Sequence, residues 1–142
     1  MGEANVPAGL GFQKTFRFTE LVYRKPGITH EQFIDHYVNV HIPLAVETGR
    51  KYNVIHYSVQ FTGQKQREKA QELFGKGFSN FLDCDAITTI AFTDEASAIA
   101  ATKDPDWMGK VVADCVHFIK DDGVQLTTGW EYVANKDGVT VC

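Results

Sequence analysis

The sequence predicts an α+β domain whose elements alternate as strand, helix, strand, strand, helix, strand. Three observations carry that prediction. Period-two apolar patterning marks residues 14–25, 52–61, 86–92 and 124–133 as strands. Helix-start signals stand after the first and third of them, at Thr29 and at Asp94 and Asp104. Turn chemistry, such as Pro26-Gly27 and Asp121-Asp122-Gly123, punctuates the pattern. A length of 142 residues suits one domain, and a 44% hydrophobic share is enough for a packed core.

The elements follow in order. Residues 1–13 mix Gly, Pro and Ala without periodicity and read as a loose arm before a single domain at 14–133. In the first strand Phe16, Phe18 and Val22 share one parity, and Leu21 and Tyr23 the other, so both faces are covered. Thr29-x-x-Gln32 is a capping box: the threonine hydroxyl accepts from the third amide and the glutamine reaches back. The helix it opens runs over about 30–47 and stops near Gly49, with Phe33, Tyr37, Val40, His41 and Leu44 on one stripe. Pro43 lacks an N–H and its ring opposes the carbonyl of Asn39, so a kink is expected around 39–43. Residues 63–76 form a polar surface helix. The loop after it carries Phe78 and Phe81 and is positioned to close over a ligand. Asp94 caps a short helix at 95–102, and Asp104-Pro105 begins a longer one ending near 119. Asp121-Asp122-Gly123 turns the chain into the fourth strand, and residues 134–142 are a polar tail.

Two βαβ units joined by antiparallel pairing give the ferredoxin-like arrangement, one four-stranded sheet with helices on one face. The other face is larger than a monomer usually exposes. Two copies packing sheet to sheet would cover it, so a homodimer with a largely apolar interface is expected, each subunit keeping its own cleft between sheet and helices.

Composition excludes several function classes. The net charge of −4 leaves no nucleic-acid footprint, and Lys65, Arg67 and Lys69 are interleaved with Glu68 and Glu72 as a solvated helix face. The start of the chain has neither a basic nor an apolar leader region, and no apolar run approaches the ~18 residues of a membrane span. Cys84, Cys115 and Cys142 are odd in number without C-x-x-C, which reads as free thiols in a reducing, cytoplasmic setting, Cys115 in the core and Cys142 at a mobile end. No phosphate-binding glycine loop, dinucleotide fingerprint or G-x-S-x-G is present, so no cofactor is expected.

His41 is the leading candidate for chemistry. On the apolar stripe it is either a core histidine bonded to the backbone or an acid/base placed in a cleft, where an unperturbed pKa near 6.5 suits proton transfer. A metal is not expected: His36 and His41 are five apart, roughly 140° around an α-helix, whereas paired helical ligands are usually three or four apart. His56 and Tyr57 are adjacent on a strand and face opposite sides, and the pattern leaves open which side is the cleft. Asp114 and His117, three apart, are neighbours on the last helix, and Trp107 at its start is either core or pocket wall.

The stretch "EQFIDHYVNVHIPLA" resembles the first helix of the EthD-type domain, a branch of the dimeric α/β-barrel superfamily. That helix carries a Phe, an aromatic pair or His-Tyr, and His-x-Pro-Leu, matched here by Phe33, His36-Tyr37, His41 and Pro43-Leu44. A weaker match lies at "ADCVHFIKDD", with Asp114, Phe118 and Asp121. The resemblance spans roughly residues 14–133. It implies the ferredoxin-like fold, a homodimer, and a cofactor-free enzyme similar to decarboxylases of fungal polyketide pathways, acting on an aromatic or β-keto acid. A cyclase or cofactorless monooxygenase is the alternative within the fold, and a non-catalytic binding or stress-type barrel is the alternative outside catalysis. On this reading His41 is the acid/base, Tyr57 or Tyr37 steadies an oxyanion, and Asp114 orients a histidine. Phe33, Tyr37, His56, Phe78, Phe81, Trp107, His117 and Phe118 line the substrate site.

Overall fold

The computed structural model describes residues 8–141. Strand β1 (Phe16–Arg24) lies at the centre with β3 (Ala86–Phe92), flanked by β2 (Val54–Phe61) and β4 (Ile119–Gly129). The order is β2-β3-β1-β4 and every pairing is antiparallel, which is the ferredoxin-like sheet.

The first helical segment, α1, is where local chemistry departs from a regular helix. It opens at His30–His36 behind the Thr29–Gln32 capping box, with both reciprocal bonds formed. It then widens into a π turn at Tyr37–His41, closed by the Ile42 N–H bonding the Tyr37 carbonyl, and resumes as α-helix over Ile42–Gly49 with Pro43 in its first turn. Proline is the cause available in the sequence. A ring at position 43 would press on the Asn39 carbonyl of a regular helix, and widening the preceding turn moves that carbonyl away. The irregularity expected at 39–43 therefore takes the form of an inserted turn, centred slightly earlier.

Helix α2 (Gln64–Phe74) is polar and has no buried residue. Helix α3 (Glu95–Thr102) starts at Asp94, whose carboxylate accepts from the Ser97 amide. The last helical segment, α4, comprises a second π turn at Trp107–Val112 and a 3-10 turn at Cys115–His117.

Three boundaries differ from the sequence reading. Strand β4 begins at Ile119, not at 124, and ends at Gly129. Asp121-Asp122-Gly123 does not turn the chain before the strand but forms an irregularity within it: Arg24 pairs with Ile119, Val22 with Val124, and Asp122 adopts a left-handed φ of 59°. Aspartate tolerates that conformation, and Gly123 is required beside it, since a Cβ there would come within 2.6 Å of the Lys120 carbonyl oxygen. The third difference is at the ends. Residues 1–7 of the expected arm, and Cys142, lie outside the described residues. Residues 9–13 are pinned rather than loose: Phe12 bridges to Tyr132 with their rings edge to face at 4.9 Å, and Gly11 accepts from Val133. The tail folds back as a small hairpin, β5 (Asn135–Lys136) and β6 (Val139–Thr140).

The core lies between the sheet and the helices. Val22 and Ala86 from the sheet pack with Phe33, Tyr37 and Phe118, while Ile90 and Phe92 pack with Ala98 and Ala101 of α3. Register then assigns faces. Phe16, Phe18, Glu20 and Val22 look toward the helices, together with Thr88 and Ile90, Tyr57 and Val59, and Val124 and Leu126. The opposite face carries Arg17, Thr19, Leu21, Ile87 and Thr89, so it is mixed rather than largely apolar, because alternation along β1 places arginine and threonine there.

Candidate active site

The π turn decides the geometry of the site. In an α-helix residues five apart diverge, but a π turn closes its hydrogen bonds over that span and swings such residues toward one side. His36 and His41 consequently converge on a single carboxylate brought by α4. Asp114 Oδ2 lies 2.9 Å from His36 Nε2 and 3.1 Å from His41 Nδ1, and Oδ1 lies 3.0 Å from His36 Nε2. Asp114 is 8% exposed and His41 7%. The helical angle that separated the two histidines in the sequence reading is thus corrected by a backbone feature that periodicity alone did not supply.

Tautomers follow from the bonding. An ionised carboxylate only accepts, so His41 carries its proton on Nδ1 and presents a lone pair at Nε2. Nε2 has no hydrogen-bond partner among the described residues. This is the arrangement of a base held in orientation by an acid. Burial drives the pKa of His41 below the ordinary histidine value, a shift opposed by Asp114 and reinforced by the neighbouring His36. The imidazole is therefore neutral near pH 7, ready to accept a proton.

Phe118 forms the floor. Its ring centre lies 4.9 Å from both His36 and His41, 5.0 Å from Tyr37 and 5.7 Å from Phe33. Phe33 and Phe118 are fully buried, so they support the histidines from beneath rather than lining an open wall. Tyr37 spans the layer: its ring meets His41 edge to face at 5.4 Å and its hydroxyl bonds that of Thr88 on β3. Tyr57 faces the helices and interacts with Tyr37. Burial raises the pKa of both phenols, which keeps them as protonated donors.

Other expected site residues stand apart. His56 is on the opposite sheet face, exposed and within 2.9 Å of the Ser58 hydroxyl, because strand alternation sends it away from Tyr57. His117 does not pair with Asp114, whose oxygens are taken by the other two histidines. It is exposed, 6.0 Å ring to ring from His36, where both border a surface groove of about 500 Å³ with Glu31 and Asp35. Phe78 is 64% exposed and meets Phe74 at 6.3 Å, and Phe81 is half-buried. Helix α2 has no buried residue, and among the described residues neither Phe78 nor Phe81 makes a ring contact with the histidines. Trp107 is half-buried, with no aromatic contact among the described residues. Among the described residues no group of three His, Cys, Asp or Glu is arranged to hold a metal ion.

Two further residues do not stand out in the sequence. His36 enters the sequence reading as a rejected metal ligand and as part of the His36-Tyr37 pair, without a role in the site, although its five-residue offset from His41 with proline two places on is the spacing a π turn needs. Glu20 stands at the apolar parity of β1, between Phe18 and Val22. Burial pushes its carboxyl up to about 7.

A four-stranded antiparallel sheet in the order β2-β3-β1-β4, covered by helices on one face, defines a ferredoxin-like α+β domain. Comparison with known proteins makes this specific. The EthD domain matches residues 25–122, and the chain belongs to the EthD domain family. Among its relatives, dehydratase aurZ of Gibberella zeae is 26% identical over 87% of this chain and 81% of its own length. Decarboxylase claH of Passalora fulva is 28% identical over 87% of this chain and 80% of its own. An EthD family protein of Bacillus halodurans shares the fold with a TM-score of 0.56 at 18% identity, covering 82% of this chain and 98% of that one. A DABB family protein with a ferredoxin-like fold from Mesorhizobium loti gives 0.52 at 13% identity, over 85% and 98% of the two chains. Among the described residues no helix is long and apolar enough to cross a membrane.

Proposed function

We propose that this chain is a cofactor-independent lyase acting on an aromatic or β-keto acid of fungal-type polyketide metabolism. The observation that carries the proposal is His41, neutral and oriented by Asp114 with Nε2 unpartnered. In a decarboxylation Nε2 takes the acid proton as the carbon–carbon bond breaks and carbon dioxide leaves. The electron pair passes to the β-carbonyl or phenol system, and the imidazolium returns the proton to carbon. Tyr57, half-buried and held protonated, is the donor offered to a developing oxyanion, and Tyr37, whose hydroxyl is on Thr88, supports it from behind. Relatives named decarboxylases support this reaction. Relatives named dehydratases favour a second one, in which the same base removes a proton next to a carbonyl and a β-hydroxyl departs.

Product mass separates the two. Incubation with a poly-β-keto acid and with its aromatic acid product, read by mass spectrometry, is expected to show loss of carbon dioxide. Loss of water instead establishes the dehydratase or a dehydrative cyclase, and gain of oxygen a monooxygenase. An unchanged mass from both substrates removes the lyase reading.

The assembly belongs to the same proposal. The open sheet face packs against its equivalent in a second copy, forming a twofold homodimer in which each subunit keeps its own histidine site. Obligate interfaces of this kind commonly bury ~2,000 Å² or more. Light scattering at micromolar concentration is expected to give twice the chain mass, and a stable monomer there contradicts the dimer.

A further inference from the structure

Glu20 sits in a row of hydrophobic side chains, Phe16, Phe18 and Val22, on the helix-facing side of β1. Its cross-strand neighbours are Thr88 on β3 and Leu126 on β4. They differ sharply: Thr88 is fully buried under Tyr37, whereas Leu126 is 66% exposed and Val124 beside it is exposed too. The helices thus cover β3 and leave the β4 strip open, and Glu20 stands at the boundary. Its carboxyl has no hydrogen-bond or ion-pair partner among the described residues, yet its oxygens are not sealed in. Unpartnered, fully enclosed side-chain atoms occur only at Arg17, Arg24 and His30 among those residues. The titratable groups interacting with it are Tyr37 from α1, Tyr57 from β2 and Cys115 from α4. None is a cation. On β1 itself Arg17 and Arg24 are engaged by Glu131 and Asp85.

We infer that Glu20 is a second catalytic residue of this site, a neutral carboxylic acid that gives its proton to a keto or hydroxyl oxygen of a substrate lying on the Val124–Leu126 strip. This rests on the lyase reading above and deepens it: the substrate end that meets the sheet is an uncharged oxygen. Tyr37 joins the two proton-handling groups, its ring against His41 and its hydroxyl on the Thr88 neighbour of Glu20. Burial raises the carboxyl to about 7, so the proton is largely in place below that pH and is lost above it. In decarboxylation the carbonyl oxygen takes the Glu20 proton as it receives the electron pair. The enol returns that proton to Glu20 when the His41 imidazolium protonates carbon. In dehydration the Glu20 proton leaves with the hydroxyl as water while His41 holds the carbon-derived proton, and both groups reset by exchange with solvent.

Two measurements on the full chain test this. Thermal midpoints of wild type and Glu20→Gln are compared from about pH 5 to about pH 9. An acid raised on folding ionises first in the unfolded chain, so wild type is expected to lose stability relative to the variant as pH rises to about 7, with a gap of several degrees above that. Superimposed curves overturn the proposal. Calorimetric titration with acetophenone, an aryl ketone without an ionisable group, is expected to show wild-type affinity falling up to about tenfold per pH unit above about 7. Glu20→Gln should bind independently of pH, and Glu20→Leu more weakly at about pH 6. Wild-type binding that is flat with pH, or absent, also overturns it. A chain that binds the ketone as expected yet converts no keto acid keeps Glu20 as the ligand's donor and removes the lyase reading. A chain that converts keto acids at the wild-type rate with Glu20→Gln across this pH range does the reverse.

Discussion

Replacing His41 by alanine is expected to lower turnover by about 10²–10⁴-fold, the usual contribution of one positioned acid/base. The reason is geometric. His41 is the one histidine of the clamp that is buried, its Nδ1–H is held by Asp114, and its Nε2 has no hydrogen-bond partner among the described residues. Far-ultraviolet circular dichroism should show the fold retained, and near-normal turnover in that folded variant would remove His41 from the mechanism. The pH profile gives a second reading. A base must be unprotonated, so wild-type turnover should persist below pH 6.5, the ordinary histidine value, and fail only as pH drops through the lowered value of the buried ring. Folding stability moves the same way. The unfolded chain protonates His41 first, so below about 6.5 the unfolded state binds more protons and the native state loses stability as pH falls. Wild type should therefore be more acid-sensitive in this window than His41→Phe, which removes the titration while refilling the site. An acidic limb unchanged in a His41 variant that still turns over would assign that limb to another group.

Much of this could be read from the sequence because it depended on local rules. The capping box at Thr29 needs only two residues in register, and it is present with both bonds. Strand parity placed Phe16, Phe18 and Val22 together, and the order of elements fixed the sheet. Asp94 caps its helix through the Ser97 amide, as a single side chain suffices to do. What could not be read depended on contacts between distant segments or on a break in periodicity. The carboxylate shared by His36 and His41 comes from a residue 73 positions beyond His41. Its partner His117, favoured by adjacency, lost to geometry that only the packed α4 supplies. A regular helical wheel set His36 and His41 on different faces, and the π turn brought them together. Pro43, which a regular helix cannot accommodate at that position, is the residue that signals the break. Asp121-Asp122-Gly123 read as a turn because turns and strand irregularities draw on the same residues. Glu20 was legible in principle. A carboxylate at an apolar parity costs stability unless it is paired or kept neutral, so its presence in that row is itself a signal.

The largest loss of stability is expected at Phe118. This ring is 0% exposed and contacts Phe33, Tyr37, His36 and His41 together, so no neighbour can relax into the space it leaves without disturbing another. Phenylalanine-to-alanine changes in such cores cost about 3–5 kcal/mol, the lost transfer free energy plus the cavity left behind. Native domains hold only about 5–15 kcal/mol in all, so Phe118→Ala removes a large share of the total. Phe118→Leu keeps most of the apolar volume and should cost distinctly less. The exposed Phe78 supplies the contrast, since its truncation should fall within about 0.5 kcal/mol of wild type. Urea unfolding followed by tryptophan fluorescence measures all three, and the comparison is valid where the denaturant slope stays constant. The order matters for function as well as for folding. Both histidines rest on this one ring, so the folded fraction of Phe118→Ala should turn over more slowly than wild type at equal folded concentration. If Phe118→Ala unfolds no earlier than Phe78→Ala, the aromatic floor does not hold the helices to the sheet, and the positioning of His41 must come from Asp114 and the π turn alone.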